Sequence, residues 1–268
     1  MRIGSIEILP VRDGVGRETA TDVLTRPGMS ASEAWSCHTD QLDESGGLHL
    51  PLGGFLVRTG ERVVLVDAGV GAIDNGKYRG GGFPDALQAL GVTPDEVTDV
   101  VFTHLHFDHV GWATRKGEVV FRNATYRVHA DDWAHFVDAP DADAGAVRKL
   151  SPLASRLETF TDDHAVAPGL STRHTPGHTP GSTVYVVSEE GADQRALLLG
   201  DAVHSVVELG ERDWEAVWDV DPAAASAVRN VIADEVADTE DLVVGAHFPG
   251  LAFGRVVTTS GSRRFVSV

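Results

Sequence analysis

Apolar residues in this chain fall into short runs separated by turn-forming residues. "SIEIL", "GFLVRT", "RVVLVDAG", "DVVFTH", "EVVFR", "ATYRVH", "STVYVVS", "RALLLGDA" and "DLVVGAHF" are bounded by Gly, Pro, Asp or Asn. Alternating or continuous apolar runs of this kind predict β-strands. Helical spacing is predicted at Ala130–Val137 and in the run from Pro222. There Asp221 serves as N-cap, Pro222 fits the first turn, and Val228, Val231 and Ile232 are expected to share a face. The chain therefore reads as a mixed α/β fold. It has no fixed-period repeat, low-complexity tract or Pro/Ser-rich linker, so residues 1–268 are expected to form a single domain. Residues 21–52 break the pattern, being polar, weakly periodic and longer than a simple connector. They are expected to wrap over the molecule or to form a partner contact, with a homodimer as the assembly this suggests.

Composition narrows the function classes. The chain has 268 residues, 42% of them hydrophobic, enough for a substantial core. Its 22 basic and 40 acidic residues give a formal charge of -18. No basic patch offsets this, so nucleic acid and anionic membrane surfaces are not expected as partners. The start, "MRIGSIEILPVRDGVG", is interrupted by charges and does not read as a signal peptide, and no run reaches membrane-spanning length. Cys37 is the only cysteine, which rules out an intramolecular disulfide and a thiolate-rich zinc site. A cytoplasmic protein is the expectation.

Candidate chemistry is concentrated in "THLHFDHVGW", residues 103–112, which places His104, His106, Asp108 and His109 directly after an apolar run. His104 then stands where a buried strand gives way to a loop, a common place for functional groups. His178 in "TPGHTPGS", Asp201 in "LLLGDAVH" and His247 in "VVGAHFPG" each lie beside a further strand-like run. Ionisable groups among apolar neighbours are costly when unpaired, and a metal ion would neutralise them. Imidazole and carboxylate donors suit zinc, with iron, cobalt or manganese as alternatives.

From Asp67 in "VLVDAG" to His247, this ordered set resembles the metallo-β-lactamase superfamily, whose motif is His-x-His-x-Asp-His followed by a separate His, Asp and His. The resemblance implies a four-layer αβ/βα sandwich of two mixed β-sheets flanked by helices. It also implies two metal ions, taken here as zinc. One would be held by His104, His106 and His178, the other by Asp108, His109 and His247, with Asp201 bridging. Two such ions ~3.5–4 Å apart supply hydroxide near neutral pH, so hydrolysis is the implied reaction. Asp108 would orient that hydroxide and pass a proton to the leaving group. Asp67 would fix a ligand imidazole through its other ring nitrogen.

Within the superfamily, His at position 106 departs from the Glu of oxygen-reducing diiron relatives. His109 and Asp201 depart from the Arg and Cys of common zinc β-lactamases. The acidic, short chain does not resemble nucleic-acid-processing branches, and the residues after His247 do not supply the glutathione-binding helices of glyoxalase II. "LHLPLGGFLVRTGERVVLVDAGVG", "GDAVH", "DVDPAAASAVR" and "GAHFPGLAFGRV" are most similar to the lactonase and methyl parathion hydrolase-like branch. The implied activity is hydrolysis of a lactone or carboxylic ester. The alternatives are an organophosphate triester hydrolase, or a protein that binds ligand on the metal scaffold without turnover. Acyl-homoserine lactonases carry Tyr three residues beyond the bridging Asp; here His204 stands there, favouring a different ester or lactone and a catalytic role for His204. Phe107, Trp112, Trp214 and Trp218 are candidates for an apolar substrate pocket. His38, His49, His129, His135, His164 and His174 lie outside the motif and read as surface or satisfied core residues.

Overall fold

In the computed structural model, which describes residues 1–268, the strand-like runs assemble into two sheets. The first has the order Arg2–Ile3, Ile6–Thr19, Gly47–Thr59, Arg62–Val66, Asp99–Val101, Thr125–His129 and Leu157–Phe160, with Tyr78–Arg79 added to Ile6–Thr19. It is antiparallel up to Arg62–Val66 and parallel beyond. The second runs Ala165–Ala167, Leu170–His174, Thr183–Val187, Ala196–Leu198, Leu242–Val244, Gly254–Thr259 and Ser262–Ser267. Its one parallel pair is Ala196–Leu198 with Leu242–Val244.

Side chains on a strand alternate between faces, and this alternation builds the layers. Phe55, Val57, Val64, Val66 and Val101 point between the sheets, where they meet Tyr185, Val187, Leu198, Leu242 and Val244. Their neighbours Leu56, Leu65, Val100 and Phe102 point outward, onto Phe83 and Leu87 of the helix Phe83–Ala89 and onto Leu150 and Leu153. Leu197, Leu199 and Val243 leave the second sheet on its outer side and pack on Ile232, Ala233 and Val236 of the helix Pro222–Val236. The result is a helix–sheet–sheet–helix sandwich, as the motif implied.

Local expectations met mixed outcomes. Asp221 caps the helix Pro222–Val236 by accepting from Ala224 N at 3.0 Å. The buried face is Ala225, Arg229, Ile232, Ala233 and Val236, whereas Val231 is exposed. At 100° per residue, position 231 falls roughly opposite that stripe. The helix at Ala130 is α-helical only to Trp133 and continues as a π turn over Ala134–Asp138. "EVVFR" contributes a strand of two residues, Glu118–Val119, paired with Thr114–Arg115. Residues 21–52 contain short elements, Leu24–Thr25, Ala31–Trp35 and Thr39–Gln41, and residues 47–52 belong to the long strand Gly47–Thr59. Leu24, Trp35, Leu48 and Leu50 bury themselves against Val207, Trp214 and Ala216, and Leu24–Thr25 pairs with Glu215–Ala216.

Candidate metal centre

All seven sequence-predicted donors converge at one end of the sandwich, at the seam between the sheets. His104 lies just beyond the strand Asp99–Val101, with His106, Asp108 and His109 on the loop that follows. His178 sits in the turn between Leu170–His174 and Thr183–Val187, while Asp201 and His247 follow Ala196–Leu198 and Leu242–Val244. His104 Nε2, His106 Nδ1 and His178 Nε2 form a triangle with sides of 3.0, 3.0 and 3.2 Å. Tetrahedral coordination at ~2.0–2.1 Å needs donor separations of roughly 3.3 Å. The three rings stand at 82–88° to one another with centroids 4.6–4.7 Å apart, so they form a tripod. By contrast, His129 and His174 stack at 3.9 Å and 12°, which leaves their lone pairs parallel instead of convergent.

Outer hydrogen bonds fix the tautomers. The Nδ1–H groups of His104, His178, His109 and His247 donate to Thr103 Oγ1 (3.1 Å), Asp219 Oδ1 (3.0 Å), Asp67 Oδ2 (2.9 Å) and the Pro51 carbonyl (2.9 Å). Each ring therefore turns its Nε2 to the interior, the arrangement that outer partners impose on metal-binding histidines. On the second side, Asp201 Oδ1 lies 3.3 Å from His109 Nε2 and 3.2 Å from His247 Nε2, and Asp108 Oδ2 lies 3.5 Å from His247 Nε2. Asp201 Oδ2 faces the first triangle, 3.6 Å from His178 Nε2 and 3.9 Å from His104 Nε2. His109 Nε2 and Asp201 Oδ1 are buried and find no hydrogen-bond partner in the protein. Such groups are costly unless satisfied, and a cation between them would satisfy both.

The electrostatics divide the site. Burial, reinforced by neighbouring imidazoles, holds His104 well below the usual histidine range and His106 down at about 3, so both are neutral. Burial likewise lowers His178. At His109 and His247 burial opposes charge, but Asp201 and the other nearby carboxylates outweigh it, raising His109 well above its ordinary value and His247 to about 8. A site that draws protons onto its imidazoles in this way also attracts metal cations.

Buried acids hold the donors in place. Asp67 adopts a left-handed backbone (φ 63°), a conformation non-glycine residues occupy at a cost of order 1 kcal/mol or more. Its carboxylate accepts from Thr103 N (2.8 Å), Thr103 Oγ1 (2.8 Å) and His109 Nδ1, so one strained residue orients two donor positions. Asp132, fully buried, accepts from Leu105 N at 2.9 Å and Gly181 N at 2.7 Å, tying the His104–His106 segment to the His178 turn. Burial raises its carboxyl to about 6. Behind His178, Asp219 Oδ2 accepts from Arg229 Nη2 at 2.8 Å, and Arg229 Nε lies 3.0 Å from Glu208 Oε1. Glu208 Oε2 accepts from the backbone N–H groups of His204 and Ser205, both at 2.6 Å. A buried chain of charges thus connects the His178 donor to the loop carrying His204. Two glycines are required sterically. Gly177 (φ 141°) packs on the Ala225 backbone and Gly200 (φ 52°) on the Thr103 side chain, where an added Cβ would come within 2.3 and 2.6 Å.

Beside the donors is a cavity of about 260 Å³ lined by Leu50, Tyr78, Phe107, Trp218 and His204. Phe107 and Trp218 line this cavity, whereas Trp112 and Trp214 do not. Trp112 is buried in the core and donates Nε1–H to Asp13 at 3.0 Å, and Trp214 packs edge-on to Trp35 at 5.3 Å. Asp132, Asp219, Arg229, Glu208 and Tyr78 were missed from sequence. Only Arg229 left a signal, as a charge at i+4 from Ala225 and i−3 from Ile232 on the apolar stripe of its helix.

A convergent histidine–aspartate cluster at the seam of a two-sheet sandwich defines a metal-binding class of protein. Residues 54–247 match the family described as the Metallo-beta-lactamase superfamily, and the chain belongs to that superfamily. It is 26% identical over 164 residues to an N-acyl homoserine lactonase of Bacillus sp, covering 53% of this chain and 60% of that protein. It is 35% identical over 115 residues to N-acyl homoserine lactonase AttM of Agrobacterium fabrum (strain C58 / ATCC 33970), covering 40% and 41%. The match thus spans less than two thirds of these curated relatives. Among solved structures, AidC, a dizinc quorum-quenching lactonase, superposes with a TM-score of 0.88 at 22% identity, over 100% of this chain and 96% of that one. Hydrolase AbOPH superposes with a TM-score of 0.85 at 25% identity, over 100% and 96%. No helix is long and apolar enough to cross a membrane.

Proposed function

We propose that this chain, as one domain, is a dinuclear metal-dependent hydrolase that cleaves a lactone or carboxylic ester. The observation that carries the reading is the set of imidazole Nε2 atoms turned inward by outer hydrogen bonds, with the Asp201 carboxylate between the two groups. His104, His106 and His178 would hold one ion, Asp108, His109 and His247 the other, and Asp201 would contact both. Zinc is the proposed metal, supported by the nitrogen-rich donor set and by the dizinc relative. When bound, two such ions bring the pKa of a water toward ~7 and polarise a substrate oxygen.

The chain's own residues supply the rest. Asp108 presents Oδ2 toward His247 and, being only partly buried, can take a proton at its carboxylate and deliver it to the departing alkoxide. His204, 1% exposed, has no hydrogen-bond partner at Nδ1 or Nε2 and lines the cavity beside Asp201, its Nε2 3.7 Å from Asp201 Oδ2. It is placed to donate to a developing oxyanion or leaving oxygen. Phe107, Trp218, Leu50 and Tyr78 would give the reacting group an apolar wall.

The test is elemental analysis together with a turnover screen of lactones, aryl esters and phosphotriesters. Two ions per chain and hydrolysis of an ester or lactone are expected. Saturation at one ion, or ligand-dependent stabilisation without product, would overturn the reading.

A further inference from the structure

Tyr78 reaches the aromatic cavity on the loop between Val70 and Phe83, and two buried carboxylates hold that loop. Asp13 grips its base. Oδ2 of Asp13 accepts from Val70 N and Gly71 N, both at 2.8 Å, and Oδ1 from Gly81 N and Phe83 N, both at 2.9 Å. Glu18, on the long strand Ile6–Thr19, is 5% exposed and grips the loop at Tyr78 itself. The Tyr78 hydroxyl donates to Glu18 Oε1, and Lys77 Nζ lies 2.7 Å from Oε2. Tyr78 also pairs with Gly16 across the strands, where an added Cβ would come within 2.6 Å of the ring. The strand therefore leaves room for the ring, and the carboxylate two residues further on fixes where it lies.

This tether bears on what the cavity admits. Tyr78 meets Phe107 edge-on, with centroids 5.3 Å apart at 89°, and Phe107 is half exposed, so a fixed ring supports one that stands partly in solvent. The cavity of about 260 Å³ also takes in His106, Asp108, His178, Asp201 and His247, which leaves only part of it for a substrate. A group entering that part runs up against Leu50, Trp218 and the Tyr78–Phe107 pair. A hydrogen bond to a carboxylate is roughly twice as strong as one between neutral groups. Moving the Tyr78 ring outward would break such a bond and leave a buried Glu18 oxygen without its partner.

We propose that Glu18 is a specificity-determining positioning residue: by fixing the Tyr78 ring against Phe107 it limits the length of the substrate group that enters the aromatic cavity, on whichever side of the scissile bond that group lies. This rests on the hydrolase reading above. Glu18 acts through Tyr78, so its loss should change selection among substrates more than the chemical step.

The test uses the metal-loaded full chain and two ester series, one lengthened on the acyl side and one on the alcohol side. In at least one series, wild type should lose about tenfold or more in kcat/KM between the butyl-length and decyl-length members, the scale on which a fitted apolar pocket rejects an extra group. Glu18→Leu and Tyr78→Phe cut the tether while keeping the ring, and each should raise the long-to-short ratio by about tenfold, through KM. Glu18→Gln keeps an accepting oxygen and should hold the wild-type ratio, which separates the tether from a loss of charge. Tyr78→Phe removes a single oxygen atom, so it reports even where Glu18→Leu fails to fold. Calorimetry of butanoate and decanoate binding gives a readout without turnover, with decanoate gaining on butanoate in Tyr78→Phe. A ratio unchanged in Tyr78→Phe and Glu18→Leu, a uniform loss at all chain lengths, or no length limit in wild type overturns the proposal and leaves the hydrolase reading intact. Absence of turnover for every ester and lactone overturns the hydrolase reading, and the calorimetry then decides the tether on its own.

Discussion

Replacing Asp132 with asparagine should change stability in a way that depends on pH. The wild-type carboxyl is raised from 3.8 to about 6 by burial, so the native state binds this proton more tightly than the unfolded state does. Stability from this group is therefore greatest at low pH and falls as pH rises from 3.8 through 6. The full difference between 3.8 and about 6 is worth roughly 3 kcal/mol, of which about 1.6 kcal/mol is already lost at pH 5, leaving about 1.4 kcal/mol to be lost between pH 5 and 8. The substituted carboxamide cannot ionise and escapes this loss, but it keeps only one acceptor oxygen for the two N–H groups of Leu105 and Gly181. Leaving one buried donor unsatisfied costs about 1–3 kcal/mol at any pH. The variant should be less stable than wild type at pH 5 and should regain about 1.4 kcal/mol relative to it by pH 8. Urea unfolding of both proteins, metal-free, at four pH values from 5 to 8 measures this, because histidines common to the two cancel in the difference. A difference that does not vary with pH would show that Asp132 is not held protonated by burial. As a second readout, the d–d bands of the cobalt-loaded variant should shift, since the backbone on either side of the first donor triangle loses its tie.

Other expectations follow from the same geometry. Arg229→Met leaves Glu208 and Asp219 buried without a counter-charge, and denaturant unfolding should register a loss of about 3–5 kcal/mol. Asp108→Asn keeps an oxygen donor but cannot carry a proton, so kcat should fall roughly 10²-fold or more with metal content largely retained; wild-type turnover at unchanged metal content would refute its role. His204→Ala should lower kcat/KM for esters by roughly 10- to 10³-fold, less for substrates with good leaving groups; unchanged values across esters, lactones and phosphotriesters would make it a bystander. Chelation should lower the Tm, because an ion bound only by the native fold stabilises it by about 2.7 kcal/mol at one hundred times its Kd, and a Tm indifferent to zinc would contradict the site.

The donors were legible because sequence order and fold agree at them. Six of the seven lie at or just past the end of an apolar run, and His178 lies in the turn that leads into "STVYVVS", so the turns at strand ends carry all of them to the same edge of the sandwich. The layers were legible for a similar reason, since Val64, Leu65 and Val66 alternate between the inner and outer cores as the period of two requires. The supporting acids were not. Asp132 sits in "HADDW", which resembles the solvated first turn of a helix, and only the neighbouring turn at Gly181 reveals its use. Glu208 and Asp219 are more than ten positions apart and acquire meaning through Arg229, on a third element. Trp112 and Trp214 misled because an aromatic near a motif in sequence says nothing about which side of the strand it leaves.

What unites the donors and their supports is that neither sheet owns the site. His104, His106, Asp108 and His109 leave the first sheet, whereas His178, Asp201 and His247 belong to the second. The hydrophobic core between the sheets ends near this edge, and beyond it polar groups take over the work of joining them: Thr183 N donates to the Thr103 carbonyl at 2.8 Å, His247 Nδ1–H to the Pro51 carbonyl, and the Asp201 carboxylate faces donors from both sides. A buried carboxylate among five imidazoles would repel or strand part of that edge if left uncompensated. Cations between the two groups of donors would bind the sheets where the apolar core no longer does, so the feature that makes the site chemically useful is also one that closes the sandwich.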